Sequence, residues 1–103
     1  MKLILSITIL ALAVTGSAFA DAAAGKAVYT ANCDKCHGPD GAGKPMIAKM
    51  LNATMKPLAS PEVKALSDAA MTKDITTGVG KMKPIKITDA QVKDVIAYVR
   101  TLK

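Results

Sequence analysis

The sequence predicts a small all-α domain, and three observations carry that expectation. No segment alternates apolar and polar residues convincingly, as a half-buried strand would. Apolar residues instead recur at helical spacing along residues 21–103, in stretches that open on capping residues. The third observation is Cys33-Asp34-Lys35-Cys36-His37, which reads C-x-x-C-H and holds both cysteines and the only histidine of the chain. That spacing is the attachment motif of c-type haem. Two thiols three positions apart can add across the two vinyl groups on one edge of a haem. The histidine that follows offers an imidazole nitrogen to the iron as proximal ligand. Competing readings are weaker. A thioredoxin-like pair wants a βαβ setting, a zinc site about four ligands, and a disulfide across so short a loop is strained.

Residues 1–20 read as a leader outside the fold. Lys2 supplies a positive start, Leu3 to Val14 an apolar run, and Ala18-Phe19-Ala20 a small-x-small cleavage site. The apolar run is short for a membrane span, which needs about 20 residues. A signal peptide over 1–20 followed by one domain over 21–103 is therefore expected, with export out of the cytoplasm to an oxidising compartment.

The elements of residues 21–103 follow in order. Asp21 caps a helix that runs to about Cys33 through good helix formers, with Gly25, Tyr29 and Cys33 four apart on one face. Gly38 to Gly43 is a loop by composition. A short helix is expected near 46–52, where Met46, Ile47, Met50 and Leu51 have helical spacing. Ser60-Pro61-Glu62 opens a short turn. Ser67-Asp68 caps a helix to about Thr77, and Gly78 ends it. Val79 to Ile87 is an extended loop. Thr88-Asp89-Ala90-Gln91 is a capping box that starts a last helix to about Leu102, with Val92, Val95, Ile96, Val99 and Leu102 as its apolar stripe.

A domain this small buries too little surface to be comfortably stable alone. Tyr29 and Tyr98 are the only aromatics after residue 20, so a haem would supply the large apolar body that the chain lacks. Removing residues 1–20 removes one of the 14 basic side chains and none of the 8 acidic ones, so the domain is cationic. Lys35, Lys44, Lys49, Lys56, Lys81, Lys83 and Lys86 flank the expected haem site. Either they steer docking onto acidic redox partners or they are solvated surface. Nucleic-acid binding is not expected, because no aromatics interleave with the lysines.

One axial histidine leaves the sixth iron position open to choice. A second histidine is excluded, which leaves methionine, lysine or water. Met71, Met46 and Met50 have core-like helical settings. Met55 and Met82 each stand in a Met-Lys-Pro triplet in loop sequence. Met82 has the better setting: Gly78 and Gly80 allow close approach, Pro84 stiffens the loop, and the last helix follows at once. Met82 is the expected distal ligand, with Met55 second.

These residues resemble a known family. The chain is similar to the small monohaem class I cytochromes c of bacterial periplasms. The likeness rests on Cys33-Asp34-Lys35-Cys36-His37-Gly38, on Gly25 and Tyr29 before it, on Ile75 to Met82, and on Tyr98. It implies an all-α cytochrome c fold with N- and C-terminal helices packed around one covalently bound haem c. It implies that those helices cross with Gly25 and Tyr29 against Ile96 and Tyr98. It also implies that a proline carbonyl, best matched by Pro45, accepts a hydrogen bond from the proximal histidine. The family often has Met followed directly by Pro, whereas Lys83 intervenes here. The function expected is a periplasmic electron carrier, not an enzyme, with His37 and Met82 as iron ligands and Cys33 and Cys36 as attachment points. Such a carrier is expected to be monomeric and not membrane-spanning. The alternatives are a five-coordinate haem sensor or peroxidase-like protein, and a haem subunit of a larger redox complex.

Overall fold

A computed structural model of the chain describes residues 20–103. The leader expected over residues 1–20 lies outside them, Ala20 aside. Six helices occur among the described residues, in order α1 Ala22–Asn32, α2 Asp34–His37, α3 Pro45–Leu51, α4 Pro61–Lys64, α5 Asp68–Thr77 and α6 Asp89–Val99. No strand occurs among the described residues; an isolated bridge pairs Val79 with Met82. No helix among them is long and apolar enough to cross a membrane.

The caps explain the starts. The Asp21 carboxylate accepts from the Ala23 and Ala24 N–H groups, and the Ser60 and Ser67 hydroxyls accept from Val63 and Ala70. At α6 the Thr88 hydroxyl accepts from Gln91 N–H while the Gln91 side chain accepts from Thr88 N–H, closing the expected box. Gly78 ends α5 with φ +81°, a conformation that favours glycine. α6 stops three residues before the expected end. Thr101 and Leu102 instead bond back to Tyr98 and Val99 in a tighter last turn.

The core is the crossing of α1 and α6, with α5 packed on α6. Val28 and Tyr29 from α1, Met71 from α5, and Val92, Val95, Ile96 and Val99 from α6 form one buried cluster. Gly25 makes the crossing possible, because α6 runs directly over it. A side chain there would overlap the Asp94 carbonyl oxygen and lie 3.0 Å from Tyr98 Cβ. The neighbours of Gly25 are thus Asp94 and Tyr98, while Ile96 sits in the core cluster rather than on the glycine. Tyr29 meets Tyr98 as expected, with ring centroids 5.2 Å apart and tilted by 59°. The Asp21 N–H donates to the Asp94 carboxylate at 2.8 Å and ties the start of α1 to α6.

Two expectations fail on α3. Met46 and Met50 are not core residues; each is 74% exposed. The side of α3 that turns inward is Ile47 and Ala48, both half-buried, and α3 stands outside the packed set of α1, α2, α5 and α6. The Pro45 carbonyl is not the acceptor for His37, whose Nδ1 is buried without a partner. Pro45 is the first residue of α3, so its carbonyl points along the helix toward its own following turn.

Candidate haem site

The attachment motif is built as one helical turn. The Tyr29 carbonyl in the last turn of α1 accepts the Cys33 N–H at 2.8 Å. Cys33 then caps α2, and its carbonyl accepts Cys36 N–H at 3.2 Å and His37 N–H at 3.0 Å. Residues three and four apart share a helix face, so this turn gathers Cys33, Cys36 and His37. The short helix was not legible in the sequence, because four residues carry no periodic signal. Gly38 closes it with φ +77°, a left-handed conformation that turns the chain away at once. The loop then folds back on the motif: Gly43 N–H donates to the His37 carbonyl at 2.7 Å and Lys44 N–H to the Cys36 carbonyl at 3.0 Å. Lys44 is also the cap of α3, so that helix starts against the motif.

The chemistry of these groups suits a covalently held haem. Both cysteines are half-buried free thiols. Burial, and then the neighbouring Cys36, pushes the Cys33 thiol up to about 11. Burial lowers the pKa of His37, which keeps the imidazole neutral and its lone pair available to a metal. Its Nδ1 is a buried polar atom with no partner, which marks the ring as serving something other than protein packing. Tyr29 donates its hydroxyl to the Gly38 carbonyl. Burial first, then the nearby Cys33, Asp34, Tyr98 and Asp40, raises that phenol to about 12, so it remains a donor at any physiological pH. Sequence reasoning placed Tyr29 at the helix crossing and missed this bond. The available signal was a tyrosine, with a hydroxyl to satisfy, at a position expected to be buried.

The methionines separate by setting. Met71 is in the core, as expected, and Met46 and Met50 are exposed. Met55 is half-buried against the loop that bonds to His37: a Cβ at Gly43 would lie 3.4 Å from Met55 Cβ and 4.0 Å from its sulfur. Met82 is half-buried in a separate turn. Val79 and Met82 exchange backbone bonds of 3.0 and 2.9 Å, and Ile85 N–H donates to the Ile75 carbonyl at 2.8 Å, which fastens the loop to α5. Arg100, the sole arginine, is engaged elsewhere. Its guanidinium donates to Asp68 and to the Leu66 carbonyl at 2.6 and 2.8 Å.

An all-α fold closed by crossed terminal helices, with a C-x-x-C-H turn beside the crossing, defines a c-type haem protein. The cytochrome c family model matches residues 22–103, and the chain belongs to that family. Cytochrome c-555 of Chlorobaculum tepidum is 39% identical over 95 residues, covering 85% of this chain and 83% of the relative. Cytochrome c-554(547) of Halothiobacillus neapolitanus is 33% identical over 90 residues, covering 81% and 98%. Among solved structures, the KustC0563 c-type cytochrome superposes with a TM-score of 0.64 at 30% identity, covering 77% of this chain and 96% of its own. Members of the family carry covalently attached haem c and work by haem-based electron transfer, and the cysteine pair that attachment needs is present here.

Proposed function

We propose that this chain is a periplasmic electron carrier in which Cys33 and Cys36 tether one haem c, His37 is the proximal ligand and Met82 the distal one. The observation that carries this reading is His37 itself: a half-buried imidazole, its Nδ1 buried without a protein partner and its pKa lowered by burial, one residue beyond the second thiol on the same turn. When bound, the haem supplies a ferric/ferrous couple, so the protein has only to hold and shield it. The neutral His37 nitrogen offers one donor. The Met82 thioether, a soft ligand on a fastened loop, offers the other and raises the potential relative to two nitrogen donors. Met55 is the weaker candidate, because it packs against the loop on the His37 side. The relatives are named as cytochromes, which supports a carrier rather than an enzyme.

Export follows from the leader-like residues 1–20. The partner reading follows from charge. Residues 41–61 and 75–88 hold six lysines and no acid, and the exposed Met46 and Met50 stand among the first group. Exposed methionines in a lysine-rich segment suit brief docking onto an acidic redox protein, although Lys44 is paired with Asp34 at 3.7 Å, and a monomer suits a mobile carrier. The five-coordinate alternative lacks support, because the one arginine is committed to Asp68 and Leu66. The deciding experiment is addition of carbon monoxide to the reduced, matured protein, read in the visible spectrum. An unchanged spectrum is expected from a filled sixth position. A prompt, complete shift to the carbon monoxide adduct overturns the carrier reading.

A further inference from the structure

One residue braces the attachment motif at both ends. The Tyr29 carbonyl accepts the Cys33 N–H at 2.8 Å, and the Tyr29 hydroxyl donates to the Gly38 carbonyl. Tyr29 is 1% exposed and its ring lies on Tyr98, so both braces stand on the α1–α6 crossing. Between them, the backbone groups around His37 are bonded locally. His37 N–H donates to Cys33 at 3.0 Å, the His37 carbonyl accepts from Gly43 at 2.7 Å, and Gly38 N–H donates to Asp34 at 2.9 Å. The Gly38 carbonyl also accepts from Gly41 N–H at 3.2 Å. These bonds join the motif and its loop to themselves. The tyrosine hydroxyl joins the far end of the motif to the core.

The His37 ring makes no such bond of its own, since Nδ1 has no protein partner. The direction of the imidazole is therefore set by its backbone and by packing. A phenylalanine would fill the same space beside Tyr98. A hydroxyl at a buried position costs free energy unless it is bonded, and here its bond goes to the residue next to the histidine.

We propose that Tyr29 is a positioning residue for the proximal histidine: through its hydroxyl on the Gly38 carbonyl it fixes the backbone from which His37 reaches the iron, and so sets the ferric/ferrous balance. The inference rests on the ligation by His37 proposed above. A less firmly held imidazole changes the strength of its bond to the iron, and the two oxidation states respond unequally to axial donor strength.

The test is Tyr29→Phe in the matured haem protein, with Tyr98→Phe as the control that removes a hydroxyl from the other ring of the pair. Both are read by midpoint potential and by the hyperfine-shifted proton resonances of His37 and the haem methyls. The ferric/ferrous ratio at fixed poise is expected to change at least twofold in Tyr29→Phe, about 18 mV at 59 mV per decade for one electron. The His37 resonances are expected to move with it, and Tyr98→Phe to leave both unchanged. A Tyr29→Phe protein that is less stable but shows neither shift has lost only packing, and the proposal is overturned; equal shifts in both variants overturn it too. Absence of shifted His37 resonances in the wild type overturns the ligation reading along with this one. Their presence beside an unmoved Tyr29→Phe potential overturns the tyrosine alone. Should Tyr29→Phe fail to mature, the wild-type ferrous protein decides. A resolved, slowly exchanging Tyr29 hydroxyl proton with a nuclear Overhauser contact to Gly38 supports the brace, and one that exchanges freely with water overturns it.

Discussion

Gly25→Ala is the substitution that tests the frame on which the site stands. A Cβ at residue 25 would lie 2.5 Å from the Asp94 carbonyl carbon and 3.0 Å from Tyr98 Cβ, and would overlap the Asp94 carbonyl oxygen. Carbon atoms in contact rest about 3.5–4.0 Å apart, so α1 and α6 must separate by about 1 Å to admit the methyl group. The obstruction at Asp94 is backbone, so no side-chain rotation relieves it. A gap of that size forfeits about a quarter to a half of each dispersion contact across the crossing, and those contacts belong to Val28, Tyr29, Val92, Val95 and Ile96. The hydrogen bond from Asp21 N–H to the Asp94 carboxylate stretches as well. Overpacking costs about 1–3 kcal/mol, and a backbone-against-backbone clash belongs at the upper end. Alanine returns about 1 kcal/mol of helix propensity over glycine. The net loss is about 2 kcal/mol. In a domain of this length each kcal/mol lowers Tm by about 4–8 °C, so the matured variant should unfold about 8–16 °C earlier. The assay is thermal unfolding followed by circular dichroism in the haem and amide bands together. A fall of less than about 4 °C would show that the helices part without loss and would refute the close-packing argument.

Three further outcomes follow from the geometry. Met82→Ala should admit carbon monoxide to the reduced iron and lower the potential, whereas Met55→Ala should leave both unchanged; the reverse pattern in visible spectra and redox titration would assign the ligand to Met55. Burial holds the His37 pKa below its ordinary value, so near and below the ordinary histidine range the unfolded chain binds more protons than the folded one. That contribution to stability is complete above about pH 6.5 and shrinks as pH falls; denaturant midpoints between neutral pH and pH 4 should decline, and a flat or rising profile contradicts the sign. Electron transfer to an acidic partner protein should slow as ionic strength rises, and rates indifferent to salt in stopped-flow mixing would reduce the lysines around α3 to solvated surface.

Helix starts were legible because they are written in side chains. Asp21, Ser60, Ser67 and the Thr88–Gln91 pair each satisfy backbone donors that only a particular residue type can satisfy. The crossing was legible only through the family resemblance, which implied a small residue and aromatics where the first and last helices meet, here Gly25, Tyr29 and Tyr98. The cysteines and histidine were legible because their chemistry depends on spacing along the chain. What the sequence did not disclose depends on packing. Met46 and Met50 have the same i, i+4 relation that a buried pair would have, and only the placement of α3 decides which side turns inward. The α2 turn is too short to show a period. The partner of the Tyr29 hydroxyl is nine residues away and lies beyond a helix end, so no local pattern reveals it.

The two sides of the site differ in what holds them, and the difference has a physical consequence. His37 sits on a turn braced by Tyr29, whose ring is part of the buried helix crossing. Its position therefore inherits the stability of the core. Met82 sits on a turn closed by its own bonds to Val79 and fastened to α5 through Ile75 and Ile85. Exposed backbone bonds with few buried contacts open at lower free energy than a core does. On the proposed ligation, the iron would be anchored from the histidine side and capped from the methionine side. Such a division suits a carrier. The anchored side would preserve the covalent geometry through each oxidation change. The capped side would keep outside ligands from the metal under ordinary conditions without requiring that the loop be as rigid as the core.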